Sequence, residues 1–206
     1  MSDSPGWEAI EAKLASIYGD QTPKHWGTVM RYSAGGPDPL DGVSAYKVEA
    51  PSHPHWLYVS FGFSELYAKK SSNAEESGWG FELIFRLERE SDETEPPLWP
   101  VMMLQNLARY VFKSNSPFDD EHYIAWGRPI TSHEETQLEA TVFRNDPVLG
   151  QIDTPNGKLK FLSAIAITKD EHDLVASQGA DKLFPLLLQG NPLGVVDIDR
   201  SSLLGA

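Results

Sequence analysis

Three places in the sequence combine side-chain types at spacings that could support chemistry. His53 and His55 stand two residues apart beside Pro51 and Pro54. On a strand they would share a face and could ligate a metal. No third ligand is near in sequence, and a loop entering a strand explains the pair without one. Asp119-Asp120-Glu121-His122 gathers three carboxylates and an imidazole just after Pro117. Carboxylates suit hard cations, but the calcium-loop spacing and its central glycine are missing, so the stretch reads as a solvated loop. Asp38 and Asp41, in Gly36-Pro37-Asp38-Pro39-Leu40-Asp41-Gly42, lie three residues apart on a proline-stiffened backbone. Such a pair could do acid/base work. A hydrolase using Asp38, Asp41 and a histidine brought near by folding is therefore the alternative carried forward. Capping turns is the commoner task of aspartate in such a segment.

The familiar catalytic signatures are missing. There is no Gly-x-Ser-x-Gly elbow, no phosphate-binding loop and no His-Glu-x-x-His. Gly78-Trp79-Gly80 precedes a strand, whereas the dinucleotide fingerprint must follow one and open a helix. The residues therefore point away from an enzyme, and no catalytic, cofactor-binding or metal-ligating role is assigned.

The elements that would position these groups belong to one globular unit. A chain of 206 residues, 40% hydrophobic and 23% charged, can bury a sizeable core as a single domain spanning 1–206. Zero cysteines exclude disulfides, thiolate nucleophiles and sulfur-ligated zinc. A formal net charge of −13 disfavours nucleic acid as a partner and suits a cationic one, although solubility alone also explains it. Met1-Ser2-Asp3-Ser4-Pro5-Gly6-Trp7 lacks a basic start and an apolar run, so it does not read as a signal peptide. The most apolar stretch, Phe161 to Thr168, is far too short to span a membrane, which leaves a cytoplasmic protein as the expectation. Oligomeric state is open.

Periodicity supplies the coarse order. Pro5 to Tyr18 predicts an amphipathic helix with Trp7, Ile10, Leu14 and Ile17 on one face. Strands are expected at Thr28–Tyr32, Ser44–Val48, His55–Phe63 and Gly80–Glu88. In the last, Phe81, Leu83, Phe85 and Leu87 make one apolar face, with Glu82, Ile84, Arg86 and Glu88 on the other. Trp99 to about Ser114 reads as a helix apolar enough to be covered on more than one side. Short strands follow at Tyr123–Trp126, Leu138–Phe143 and Leu159–Thr168, helices at Glu171–Ser177 and Ala180–Gln189, and a final strand at Val195–Ile198. Without a regular βαβ rhythm, the fold class is α+β, a mixed and largely antiparallel sheet packed with several helices.

Four blocks in this order resemble the suppressor-of-fused family. They are Gly35-Gly36-Pro37-Asp38-Pro39-Leu40-Asp41 with Val43-Ser44-Ala45-Tyr46; His55 to Tyr67; Gly78-Trp79-Gly80 through Leu87; and Trp99-Pro100 with Leu107-Ala108-Arg109-Tyr110-Val111-Phe112. A weaker likeness continues through Thr154-Pro155-Asn156-Gly157. The chain is similar to the stand-alone bacterial form, since the animal members carry a further C-terminal domain. The resemblance implies a non-catalytic domain that sequesters another protein. In animals the family grips an extended segment of a transcription factor, and the tyrosine of the fourth block, here Tyr110, belongs to that contact. Bacterial relatives are often immunity proteins, so the resemblance together with the charge suggests a basic toxin domain as the partner.

The blocks themselves read as core rather than interface, because Trp56, Tyr58, Phe61, Phe81, Leu83 and Phe85 alternate as core strands do. Gly35, Gly36 and Pro37 are assigned to loop geometry, and Gly62 to a bulge or a close backbone approach. Partner-binding candidates are instead Asp38, Asp41, Asp119, Asp120, Glu121 and the ambiguous Tyr110, together with an exposed sheet edge still to be located.

Overall fold

Long segments apolar on both strand faces require cover on both sides, and that requirement organises the fold. The computed structural model describes residues 3–132 and 135–205; Met1 and Ser2, which entered the sequence reading, lie outside it. Strands β1 (Lys24–Gly27), β2 (Gly42–Val48), β3 (His55–Phe61) and β4 (Glu76–Glu88) run as an antiparallel meander. Helix α1 (Pro5–Tyr18) precedes them and α2 (Trp99–Ser114) follows. The chain then adds β5 (Tyr123–Ala125), β6 (Leu138–Asn145), β7 (Gln151–Thr154) and β8 (Gly157–Thr168). The eight-stranded sheet has the order β1-β2-β3-β4-β8-β6-β5, with β7 paired to β8. Among the strand pairs of the described residues, only the central β4–β8 pairing is parallel, with Leu83 opposite Leu162. The mixed, mostly antiparallel α+β class read from the sequence is thus the fold.

Each face of the sheet has its own core. On one, Val43, Ala45, Trp56, Tyr58, Leu83 and Phe85 pack under α2 through Met103, Leu104, Leu107, Ala108 and Val111. On the other, Tyr46, Leu57, Val59, Phe61, Ile84 and Phe161 meet Ile10 and Leu14 of α1. Trp7 completes that contact by stacking on Phe61 at 4.2 Å. Every residue of β3 is consequently buried.

The mixed face of β4 is buried too at Glu82, Ile84 and Arg86, while Glu88 is exposed. Glu82 accepts hydrogen bonds from the Ser60 and Ser64 hydroxyls and from the Gly62 and Ser64 backbone N–H groups. Arg86 forms a buried ion pair with Asp146 at 2.6 Å. Asp146 also accepts from Ser163 and from the backbone of Val148 and Leu149.

The C-terminal region is held by α3 (Lys169–Gln178), whose N-terminus is closed by a reciprocal Thr168–Glu171 capping box. Arg200 clamps the same Glu171 carboxylate through both oxygens, at 2.7 and 2.6 Å. Three sequence expectations shift. The strand expected at Thr28–Tyr32 lies earlier, at Lys24–Gly27, and Tyr32–Ala34 is a single 3-10 turn. The helix expected over Ala180–Gln189 is a 3-10 turn at Ala180–Lys182 followed by the short α4 (Phe184–Leu187), because Pro185 denies it a continuous hydrogen-bond ladder. Val195–Ile198 contributes one parallel bridge, Val196 to Leu87, rather than a strand. The β7 strand was not anticipated.

Candidate functional site

The sheet ends at β5, and most of the acidic candidates sit there. Phe143 donates its N–H to the His122 carbonyl, and Trp126 donates to the Glu139 carbonyl. Alternation along an antiparallel pair therefore turns Ile124 toward β6 as well. The backbone groups of Tyr123 and Ala125 point the other way, off the edge of the sheet. Among the described residues nothing pairs with that side. The sheet's other terminal strand is β1; β5 is the edge beside the acidic candidates, and sequence alone did not locate it.

The residues flanking the edge are held by specific contacts. Asp119, Asp120 and Glu121 form an exposed turn immediately before β5. Asp120 accepts the Asn145 backbone N–H at 2.8 Å, and Glu121 adopts a left-handed φ of 63° while donating its own N–H to Phe143. Asp119 pairs with Lys160. Burial would raise the Asp119 carboxyl, but the Lys160 ammonium and the Asp120 N–H outweigh it and hold it below the usual range.

Tyr110 is 44% exposed, so its place on the apolar face of α2 does not bury it. Its ring stacks at 5.6 Å on Phe118, which stacks at 4.1 Å on Phe143 of β6. Tyr123 stands on the edge itself, edge-on to His172 of α3 at 5.3 Å. The result is a short strand edge with acidic residues at one end and two half-exposed tyrosines nearby.

Asp38 and Asp41 are not part of this group, and their side chains have different neighbours. Asp38 forms an ion pair with Arg109 of α2, whose other nitrogen donates to Asn106 at 2.6 Å. Asp41 lies beside the Tyr67 phenol; burial first and this carboxylate second push that phenol above its ordinary value. The histidines are likewise occupied structurally. His53 meets the Gly190 carbonyl at 2.9 Å, and His55 meets the His53 carbonyl at 2.7 Å. Burial pushes His55 down to about 4, so it is neutral near pH 7. Among the described residues no group of three potential ligands converges on a metal position.

A second feature was legible only in part. Residues from all four sequence blocks meet around one cleft of about 380 Å³: Pro39 and Asp41, Gly62 to Tyr67, Gly78-Trp79 at the start of β4, and Phe112 near the end of α2. The apolar strand residues named from the blocks are core as expected, and the block ends build this cleft. Gly62, at φ 140°, does serve a close approach: a side-chain carbon there would stand 2.9 Å from the Asp41 nitrogen.

The class defined by these features is an α+β domain with a double-covered mixed sheet, a short open edge at β5 and a separate cleft. The model for the suppressor of fused protein family matches residues 36–201, and the chain belongs to that family. The human suppressor of fused homolog is 34% identical over 209 residues, covering 95% of this chain and 43% of the human protein. The chain thus spans less than half the length of that relative. Among solved structures, a chain of the Sufu–Fu complex superposes with a TM-score of 0.92 at 29% identity, over 98% of this chain and 94% of that one. A homolog from Neisseria gonorrhoeae shares the fold, with a TM-score of 0.62 at 16% identity over 96% of both chains.

Proposed function

We propose that this domain binds another protein without catalysis, sequestering it by taking an extended segment alongside β5. The observation that carries the reading is the outward-facing backbone of Tyr123 and Ala125, flanked by the Asp119–Glu121 turn. Strand addition to such an edge supplies main-chain hydrogen bonds, and the neighbouring side chains select the sequence. Tyr110 and Tyr123 add amphipathic contact area of the kind enriched at interfaces. The family relationship supports a binding role, since a similar chain occurs in a complex of Sufu with Fu. The acidic turn and the net charge of −13 favour a basic partner, and a basic toxin domain neutralised by this chain is the finer form of the proposal. A hydrolase using Asp38 and Asp41 has less support, because Asp38 is paired with Arg109 while Asp41 lies beside the Tyr67 phenol.

Ala125→Pro tests the edge directly. Proline removes an N–H that points away from β6, so the β5–β6 ladder stays intact while an incoming strand loses a donor. A tagged wild-type protein should retain a basic partner from native lysate at low salt and release it at high salt. The Ala125→Pro variant should lose the partner while melting within a few degrees of wild type. Full retention by a folded Ala125→Pro variant would exclude strand addition at β5.

A further inference from the structure

The cleft combines aromatic rings, half-buried at Tyr67, Trp79 and Phe112 and exposed at Tyr32, with two cations that lack a carboxylate partner among the described residues. Phe112 lies at its centre, with Tyr32 edge-on at 5.3 Å and Trp79 at 5.5 Å. Tyr67 forms another wall, and the Arg31 guanidinium lies 4.4 Å over its ring. Arg31 and Lys70 are both exposed, and among the described residues neither has a carboxylate within ion-pair distance.

One of the two carboxylates lining the cleft is already engaged. Glu65 accepts the backbone N–H groups of Lys70, Ser71 and Gly78 and pairs with Lys69. Burial would raise its carboxyl, but those donors hold it below the ordinary value. Asp41 lies beside the Tyr67 phenol. In a chain of net charge −13, the cleft thus sets two cations, Arg31 and Lys70, against one carboxylate, Asp41, that no described cation pairs.

Just before Arg31 in the chain, Val29 is fully exposed and Met30 is half exposed, with no packing partner for either side chain in the two cores. A small metabolite in the cleft would leave these two side chains uncovered, whereas a polypeptide running on along the Val29–Arg31 segment would bury both.

We propose that the cleft is a second protein-binding site, for a short acidic segment of a partner that inserts an aromatic side chain beside Phe112 and Trp79. Its flanking carboxylates meet Arg31 and Lys70, and its next apolar residue covers Val29 and Met30. Aromatic edges and faces accept such a ring at 4.5–7 Å spacing, and charge complementarity against an otherwise acidic surface gives selectivity. The site is independent of β5: Phe112 faces the cleft, while Tyr110, two residues earlier, faces Phe118. The two sites ask for segments of opposite charge.

The test is a titration of the ¹⁵N-labelled full chain with three capped tetrapeptides, Glu-Phe-Glu-Leu, Lys-Phe-Lys-Leu and Glu-Ala-Glu-Ala. The acidic aromatic peptide should shift the amides of Gly62, Ser64, Tyr67 and Trp79 and the Trp79 indole, saturating in the range of about 0.1–1 mM expected for so small a ligand. The lysine and alanine peptides should each bind at least about tenfold more weakly. Arg31→Glu with Lys70→Glu, both on exposed side chains, should cut affinity at least about tenfold while leaving the rest of the spectrum unchanged. Ala125→Pro should bind the peptide as wild type does, which separates this site from the β5 edge. No saturable shift up to about 5 mM, equal binding of the lysine peptide, or shifts confined to β5 would each overturn the proposal.

Discussion

Replacing Glu82 by glutamine should change how stability depends on pH. Glu82 is completely buried beneath β3 and β4, and two opposing effects act on its carboxyl. Burial disfavours the ionised form; the hydroxyls of Ser60 and Ser64 and the N–H groups of Gly62 and Ser64 favour it. Burial wins, and the group is pushed up to about 7 from an ordinary 4.5. The unfolded chain therefore loses this proton near pH 4.5, while the folded chain keeps it to about 7. Stability contributed by the neutral carboxyl is fully present below about 4.5 and lost as pH rises through 7. The gap corresponds to about 3 kcal/mol. Glu82→Gln keeps an oxygen for the Gly62 and Ser64 donors and carries no charge to bury. Relative to wild type, the variant should gain about 3 kcal/mol between pH 4.5 and 8. Urea unfolding at half-unit pH steps, with an unchanged m-value, reads the difference between the two curves. Parallel curves would refute the argument, because they would mean that the four donors hold Glu82 ionised in the folded state.

Two further perturbations probe the polar interior and the close packing around the cleft. Asp146→Ala should cost about 3–5 kcal/mol in urea unfolding, since it leaves the buried Arg86 guanidinium uncompensated; a loss below about 1 kcal/mol would show that the pair carries little of the stability. Gly78→Ala should destabilise by more than about 1 kcal/mol in the same assay, because φ is +59° and the added carbon would lie 2.5 Å from the Phe63 carbonyl oxygen; an unchanged midpoint would refute the close approach.

Periodicity made the core strands and both long helices readable. β4 announced itself through Phe81, Leu83, Phe85 and Leu87, and α1 and α2 matched their spacing. What local pattern could not show was that the other face of β4 is also buried from Glu82 to Arg86. Glu82 and Arg86 look solvent-facing in sequence, and only Ser60, Ser64 and Asp146, far along the chain, make their burial tolerable. The edge was hidden for a similar reason: β5 is three residues long, and its edge position follows from long-range pairing with β6. Asp119, Asp120, Glu121 and Tyr110 were named from residue type and resemblance, and the structure brings them to that edge. Asp38 and Asp41, named on the same grounds, lie elsewhere. The cleft left one signal, the glycines at the block ends, because Gly62 and Gly78 mark places where backbones meet closely. The aromatic residues between them looked identical to core.

The parallel pairing at the centre of the sheet also dictates an order of assembly. The β1–β4 meander is built from neighbours in sequence and can form as soon as those residues leave the ribosome. Its inner border, β4, waits for β8, which is synthesised about 70 residues later and across which β6 and β5 must dock. Pairings that close such long loops are slow, and an unpaired β4 is meanwhile open to other strands. A nascent chain halted before Gly157 would thus expose an adhesive hydrophobic strand, with β5 and β6 not yet joined to the rest of the sheet. Completion of β8 covers the first and attaches the second in one event.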